Sequence, residues 1–114
     1  MTDKPHLDEE ALAELQDVME DEFDILITTY ITDSTDRISH LRSAIAQEDA
    51  DSFAKSAHSL KGSCINIGAP RLGELCFEAE KAGRENRLEQ AGTMLDAIEH
   101  EFREVEGTLR RFLT

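Results

Sequence analysis

Between Leu88 and Phe112 the chain repeats one pattern without a miss. Leu88, Ala91, Leu95, Ile98, Phe102, Val105, Leu109 and Phe112 follow one another in alternating steps of three and four. A strand repeats every second residue, so this spacing belongs to a helix with one apolar face. Such a face needs cover, and the cover must come from the rest of the chain. Arg110 and Arg111 fall in the last turns, near the negative end of the helix dipole, with Arg103 a little before them.

The partner helices are legible in the same way. Asp8 caps a short first helix, with Glu9 and Glu10 in its first turn and Leu12, Leu15, Val18 and Met19 as its apolar face. Residues 1–6 are polar and expected to fray. A long helix follows over 21–47, carrying Phe23, Leu26, Ile27, Tyr30, Ser34, Ile38, Leu41 and Ile45. Its acidic start, Glu20-Asp21-Glu22 with Asp24, reads as a solvated helix end. Glu48-Asp49-Ala50-Asp51 breaks the period and offers caps for a third helix, which stops at Gly68. Pro70 suits the first turn of a fourth helix, with Leu72, Leu75, Cys76 and Ala79 on its stripe. Gly83 through Asn86 read as its end and a turn. The fold class expected is all-α: an antiparallel up-down four-helix bundle with a short additional N-terminal helix as a lid, one domain over 1–114. The low aromatic content and the two prolines, Pro5 and Pro70, agree, since neither proline interrupts a long periodic segment.

Composition removes several functions. With 25 acidic residues against 12 basic ones, the net charge is −13. No basic stripe is available to neutralise nucleic-acid phosphates, and anionic membranes are disfavoured. There is no apolar run of about 18 residues and no signal-peptide pattern, so a cytoplasmic location is expected. Cys64 and Cys76 both fall on core stripes and read as buried free thiols. His6, His40 and His100 show no metal-ligand spacing, and no metal or cofactor is expected.

Against this background one stretch departs from type. Phe53, Ala57, Leu60, Cys64 and Ile67 form the core stripe of the third helix. His58 lies roughly 140° from the centre of that stripe and should face solvent. Around it are Ala54, Lys55, Lys61, Gly62 and Ile65. A solvated face normally carries Glu, Lys and Gln, and a mid-helix glycine costs about 1 kcal/mol relative to alanine. Gly62 lies roughly 180° from the core stripe, one turn from His58, so it clears space for something large to reach the ring. No acid occurs in the 22 positions from Ser52 to Gly73, where the chain average would place about five. An acid-free patch around a nucleophile suits a phosphoryl group or an acidic partner.

The run His58-Ser-Leu-Lys61-Gly62-Ser63, followed by Gly68 ten residues after the histidine, resembles the histidine-containing phosphotransfer (HPt) domain of bacterial phosphorelays. Cys64 is an unusual choice for the small residue after Ser63, but it lies on the core stripe. The resemblance implies a four-helix bundle in which His58 accepts a phosphoryl group. It also implies partners: a receiver domain of a hybrid sensor kinase and that of a response regulator. In this reading Nε2 of His58 is the nucleophile and Lys61 holds the phosphoryl oxygens. Lys61 is taken as a solvent-facing lysine that adds little to stability. The docking patch is Ala54, Lys55, His58, Lys61, Gly62 and Ile65, and the domain is expected to be a monomer. In HPt domains a polar residue of the next helix often fixes the ring at Nδ1. The matching position is Glu80, about 90° from the centre of the fourth helix's stripe. The alternative for Glu80 is a solvated glutamate beside Lys81 and Arg84.

Kinase signatures are absent: no Gly-x-Gly-x-x-Gly and no Gly-x-x-x-x-Gly-Lys-Ser/Thr. The chain is therefore expected to be a stoichiometric carrier and not an enzyme, any Mg²⁺ belonging to the receiver. Two other classes compete. One is a helical adaptor that docks through the same patch without carrying phosphate. The other is a metal or cofactor bundle, which calls for inward Glu-x-x-His motifs that the sequence lacks.

Overall fold

The computed structural model describes residues 4–113, and all regular structure among them is helical: α1 (Glu9–Met19), α2 (Asp21–Ala46), α3 (Ala50–Ile67), α4 (Pro70–Arg84) and α5 (Ala91–Phe112). Helix α2 packs on α3 and α5, α4 packs on the same two, and α1 packs on α2. The four long helices thus enclose one core. No helix among the described residues is long and apolar enough to cross a membrane.

The local reasons are those the sequence offers. Asp8 accepts from the Ala11 amide at 3.1 Å, and Asp49 accepts from the Ser52 amide at 3.1 Å, each satisfying an orphan N–H of a first turn. Gly68 ends α3 with φ +79, a left-handed value that costs a glycine nothing. Pro70 opens α4. The stripe of α5 is buried from Ala91 through Leu109, and Phe112 packs at its edge. Leu88 precedes the helix and packs against the core from the turn.

Two expectations change. Residues 4–8 do not fray: Lys4 pairs with Glu74 at 2.7 Å, Leu7 is buried, and the Asp8 amide donates to the Gly68 carbonyl at 2.8 Å. One buried leucine and these two polar anchors make this segment a strap across the α3–α4 end. Met1–Asp3 lie outside the described residues. Helix α1 is less covered than its pattern suggests. Leu12 is buried, Leu15 and Met19 are partly so, and Val18 is exposed, because α1 packs mainly on α2 and reaches α5 at its end through the Gln16 bond to the Phe112 carbonyl. Helix α4 ends at Arg84 as expected, and Gly83 in its last turn is buried. A Cβ built there would stand 2.9 Å from the Ala54 Cβ and 3.0 Å from the Ala50 carbonyl oxygen, so glycine is what lets α4 approach α3 this closely.

Candidate functional site

That close approach places α4 beside the exposed imidazole of α3. The His58 side chain is 60% exposed, and its Nδ1 lies 3.0 Å from Oε2 of Glu80, whose own side chain is only 7% exposed. The same carboxylate takes three further hydrogen bonds. Lys61 Nζ donates to Oε1 at 2.8 Å, and Arg84 donates to Oε2 through Nε at 2.9 Å and Nη2 at 2.7 Å. Burial pushes the Glu80 carboxyl up, but the hydrogen bonds from Lys61, Arg84 and His58 and the Lys61 charge outweigh it and hold the group at about 2. Glu80 is therefore ionised at neutral pH.

An ionised carboxylate can only accept. Nδ1 of His58 must then be the donor, and in a neutral ring this leaves the Nε2 lone pair free. The nitrogen left free belongs to a largely exposed ring whose other nitrogen is anchored.

The neighbours of His58 divide sharply. At Gly62 a Cβ would meet nothing within 4 Å, so the glycine borders open space rather than a packed helix. Ile65 is 70% exposed on the same helix, and Phe77 of α4 is 49% exposed. A groove of about 690 Å³ lies beside Lys61, lined also by Ile65, Gly68, Pro70, Gly73 and Phe77. Lys55 is exposed and pairs with Asp51 at 3.0 Å.

Two members of the expected patch need correction. Ala54 is 5% exposed. It is the residue under Gly83, so the α3–α4 contact covers it and it offers nothing to a partner. Lys61 is not a solvent-facing lysine. Its side chain is 23% exposed, bonded to Glu80, with the ammonium 5.4 Å from the centre of the Phe77 ring. The acid-free run is likewise a property of sequence and not of space. Helix α4 brings Glu80 to the ring and Glu74 and Glu78 to the groove.

Sequence reasoning missed Phe77 altogether and weighed Arg84 only as a companion of a solvated Glu80. The signal for Phe77 was available: an aromatic off the stripe of Leu72, Cys76 and Ala79 has no core to enter. The other histidines stand elsewhere: His40 is exposed beside Asp36, and His6 bonds Glu101. Cys64 and Cys76 are buried free thiols, with the Tyr30 hydroxyl 3.6 Å from the Cys64 sulfur. Among the described residues no three His, Cys, Asp or Glu side chains are gathered where they could hold a metal ion.

Comparison with known proteins gives this arrangement a family. The structure superimposes on histidine-containing phosphotransfer protein B of Pseudomonas aeruginosa PAO1 with a TM-score of 0.89 and 38% sequence identity, covering 94% of this chain and 93% of that one. It also matches the fold of a histidine-containing phosphotransfer protein of maize, with a TM-score of 0.81 at 22% identity, covering 91% and 84% of the two chains. No curated protein matches the chain. The Hpt domain model matches residues 25–108, which takes in α3, α4 and all the residues around His58, and the chain belongs to the Hpt domain family.

Proposed function

We propose that the chain is a phosphorelay intermediate that carries a phosphoryl group on Nε2 of His58. It takes the group from the phospho-aspartate of one receiver domain and gives it to the aspartate of another. The observation that carries this reading is the bond between His58 Nδ1 and the buried, ionised Glu80. It aims the free lone pair of the ring outward, where Gly62 leaves room for a partner.

In the transfer step the Nε2 lone pair attacks phosphorus, and the bond from phosphorus to the aspartyl oxygen breaks. Its electron pair leaves with the carboxylate. Nδ1 keeps its proton, and Glu80 offsets the positive charge that the ring acquires. Lys61 is within a short swing of the ring and balances the phosphoryl oxygens. The reverse path delivers the group to a second receiver. Nothing in this step calls for a nucleotide, so the protein is a stoichiometric carrier without an ATP site, and Mg²⁺ is contributed by the receiver.

The docking surface we infer comprises Lys55, His58, Lys61, Gly62 and Ile65, joined by Phe77 of α4. Its exposed isoleucine and phenylalanine are the kind of apolar contacts a transient partner covers. The patch is small and the net charge is −13, which favours a monomer, and membership of the Hpt family favours one HPt-like domain acting in the cytoplasm. Short connections between packed neighbours support an antiparallel up-down path for α2 to α5, with α1 as the additional helix. The test is incubation with phosphorylated receiver domains. Phosphate that is acid-labile and alkali-stable should appear on this chain. A receiver that binds the patch but never transfers phosphate would leave the protein an adaptor.

A further inference from the structure

The two oxygens of Glu80 are used unequally. Oε2 bonds His58 Nδ1 and both donating nitrogens of Arg84, whereas Oε1 bonds Lys61. Lys61 in this position is committed twice, to Oε1 and to the face of Phe77. It must leave both to meet a phosphoryl group on Nε2. A buried carboxylate that lost its only cation would hold that cation back. Glu80 has a second one. Arg84 stands four residues on along the same helix, a spacing that fixes the pair without help from α3.

Resting on the reading of His58 as phosphoacceptor, we propose that Arg84 is a positioning residue. It holds Oε2 of Glu80 against His58 Nδ1, and so releases Lys61 from Oε1 to the incoming phosphoryl group. Before transfer, one carboxylate faces two cations. After transfer, each anion has its own: Arg84 stays on Glu80 and Lys61 moves to the phosphoryl oxygens. The planar guanidinium suits the stationary role, and the flexible ammonium suits the mobile one. Without Arg84, Lys61 would be the one cation on the buried carboxylate while the ring is still neutral, and it would be held there as the phosphoryl group arrives.

The experiment uses phosphoramidate as a small phosphoryl donor, so that no receiver is needed. Wild type, Arg84→Ala and Arg84→Lys are each made with and without Lys61→Ala. The first readout is the Lys61 ε-methylene resonance, which the Phe77 ring should displace in the free protein. In wild type it should return to an ordinary lysine position on phosphorylation. In Arg84→Ala it should stay displaced, with Arg84→Lys between the two. The second readout is the rate of phosphate uptake. Lys61→Ala should slow uptake about tenfold in wild type and less than about twofold in Arg84→Ala, since the two residues act as one unit. A merely structural arginine would move neither the resonance nor the coupling. A Lys61 signal that shifts fully in Arg84→Ala, with the two substitutions additive, overturns the proposal and leaves the phosphoacceptor reading intact. A wild-type protein that takes no phosphate on His58 overturns both.

Discussion

Among the described residues the bundle contains two histidine–glutamate pairs, and they differ in what surrounds them. His58 meets Glu80 at 3.0 Å and His6 meets Glu101 at 2.5 Å, each through Nδ1. Both carboxylates are almost wholly buried and both rings are partly exposed. Each glutamate also has an arginine. At Glu80 it is Arg84, bonded at 2.7 Å; at Glu101 it is Arg71, at 3.9 Å, with a buried Nε that finds no partner. The differences lie in what else is present. Glu80 holds a lysine, and open space at Gly62 stands beside its histidine. His6 belongs to the strap whose Lys4 pairs with Glu74. A buried carboxylate is a general means of fixing an imidazole. On the proposed reading, what separates the phosphoacceptor from a fastener is the lysine on its carboxylate and the open space at Gly62.

The comparison is broken most severely at the rings themselves. His58→Gln should fold normally and take up no phosphate, whereas His6→Gln should take it up at the wild-type rate. Mass spectrometry under alkaline conditions decides this, and phosphate retained by His58→Gln would remove the distinction between the pairs.

Changing the carboxylates should sharpen it. Glu80→Gln and Glu101→Gln each remove the charge from a buried acceptor that holds an arginine and a histidine, and each should lose about 1–3 kcal/mol in chemical denaturation. Only Glu80→Gln should slow phosphate uptake, by roughly tenfold. The acid limb of stability offers an independent check. With Glu80 held at about 2, below the ordinary 4.5, its contribution is complete above pH 4.5. It is lost as pH falls from there toward 2. Glu80→Gln should flatten that part of the stability profile, and an unchanged profile would mean that the bonds to Lys61, Arg84 and His58 do not hold the carboxylate in solution.

Two glycines test the open space. Gly62→Gln should be as stable as wild type and transfer phosphate poorly from a receiver, since its side chain would stand in the partner's path. Gly83→Ala, which forces a methyl against Ala54, should lose about 1–3 kcal/mol. Stability that falls in Gly62→Gln, or transfer that proceeds normally, would count against Gly62 as an access residue. The smallest loss of stability is expected at Lys61. Lys61→Ala removes one of three groups on a buried carboxylate and should lose about 1 kcal/mol. A melt indistinguishable from wild type would return Lys61 to the role of a solvated side chain.

Much of this could be read from residue order. The stripe of α5, the caps Asp8 and Asp49, the stop at Gly68 and the start at Pro70 are local, and each follows from spacing or backbone preference. His58 and Gly62 were legible for the same reason. Both are anomalies on the face opposite a well-marked stripe of one helix, and a helix's faces are fixed by its own period. What could not be read is everything that depends on the distance between helices. Ala54 looks like a patch residue on α3 alone, and only the approach of Gly83 buries it. Lys61 looks solvated until α4 supplies Glu80 and Phe77. An acid-free sequence becomes an acid-centred site because the carboxylate arrives from the next helix. Period and charge order belong to the chain by itself. Burial, ion pairing and the ionisation of Glu80 belong to the packing of α3 on α4, since each depends on atoms some twenty residues away being brought within hydrogen-bond reach.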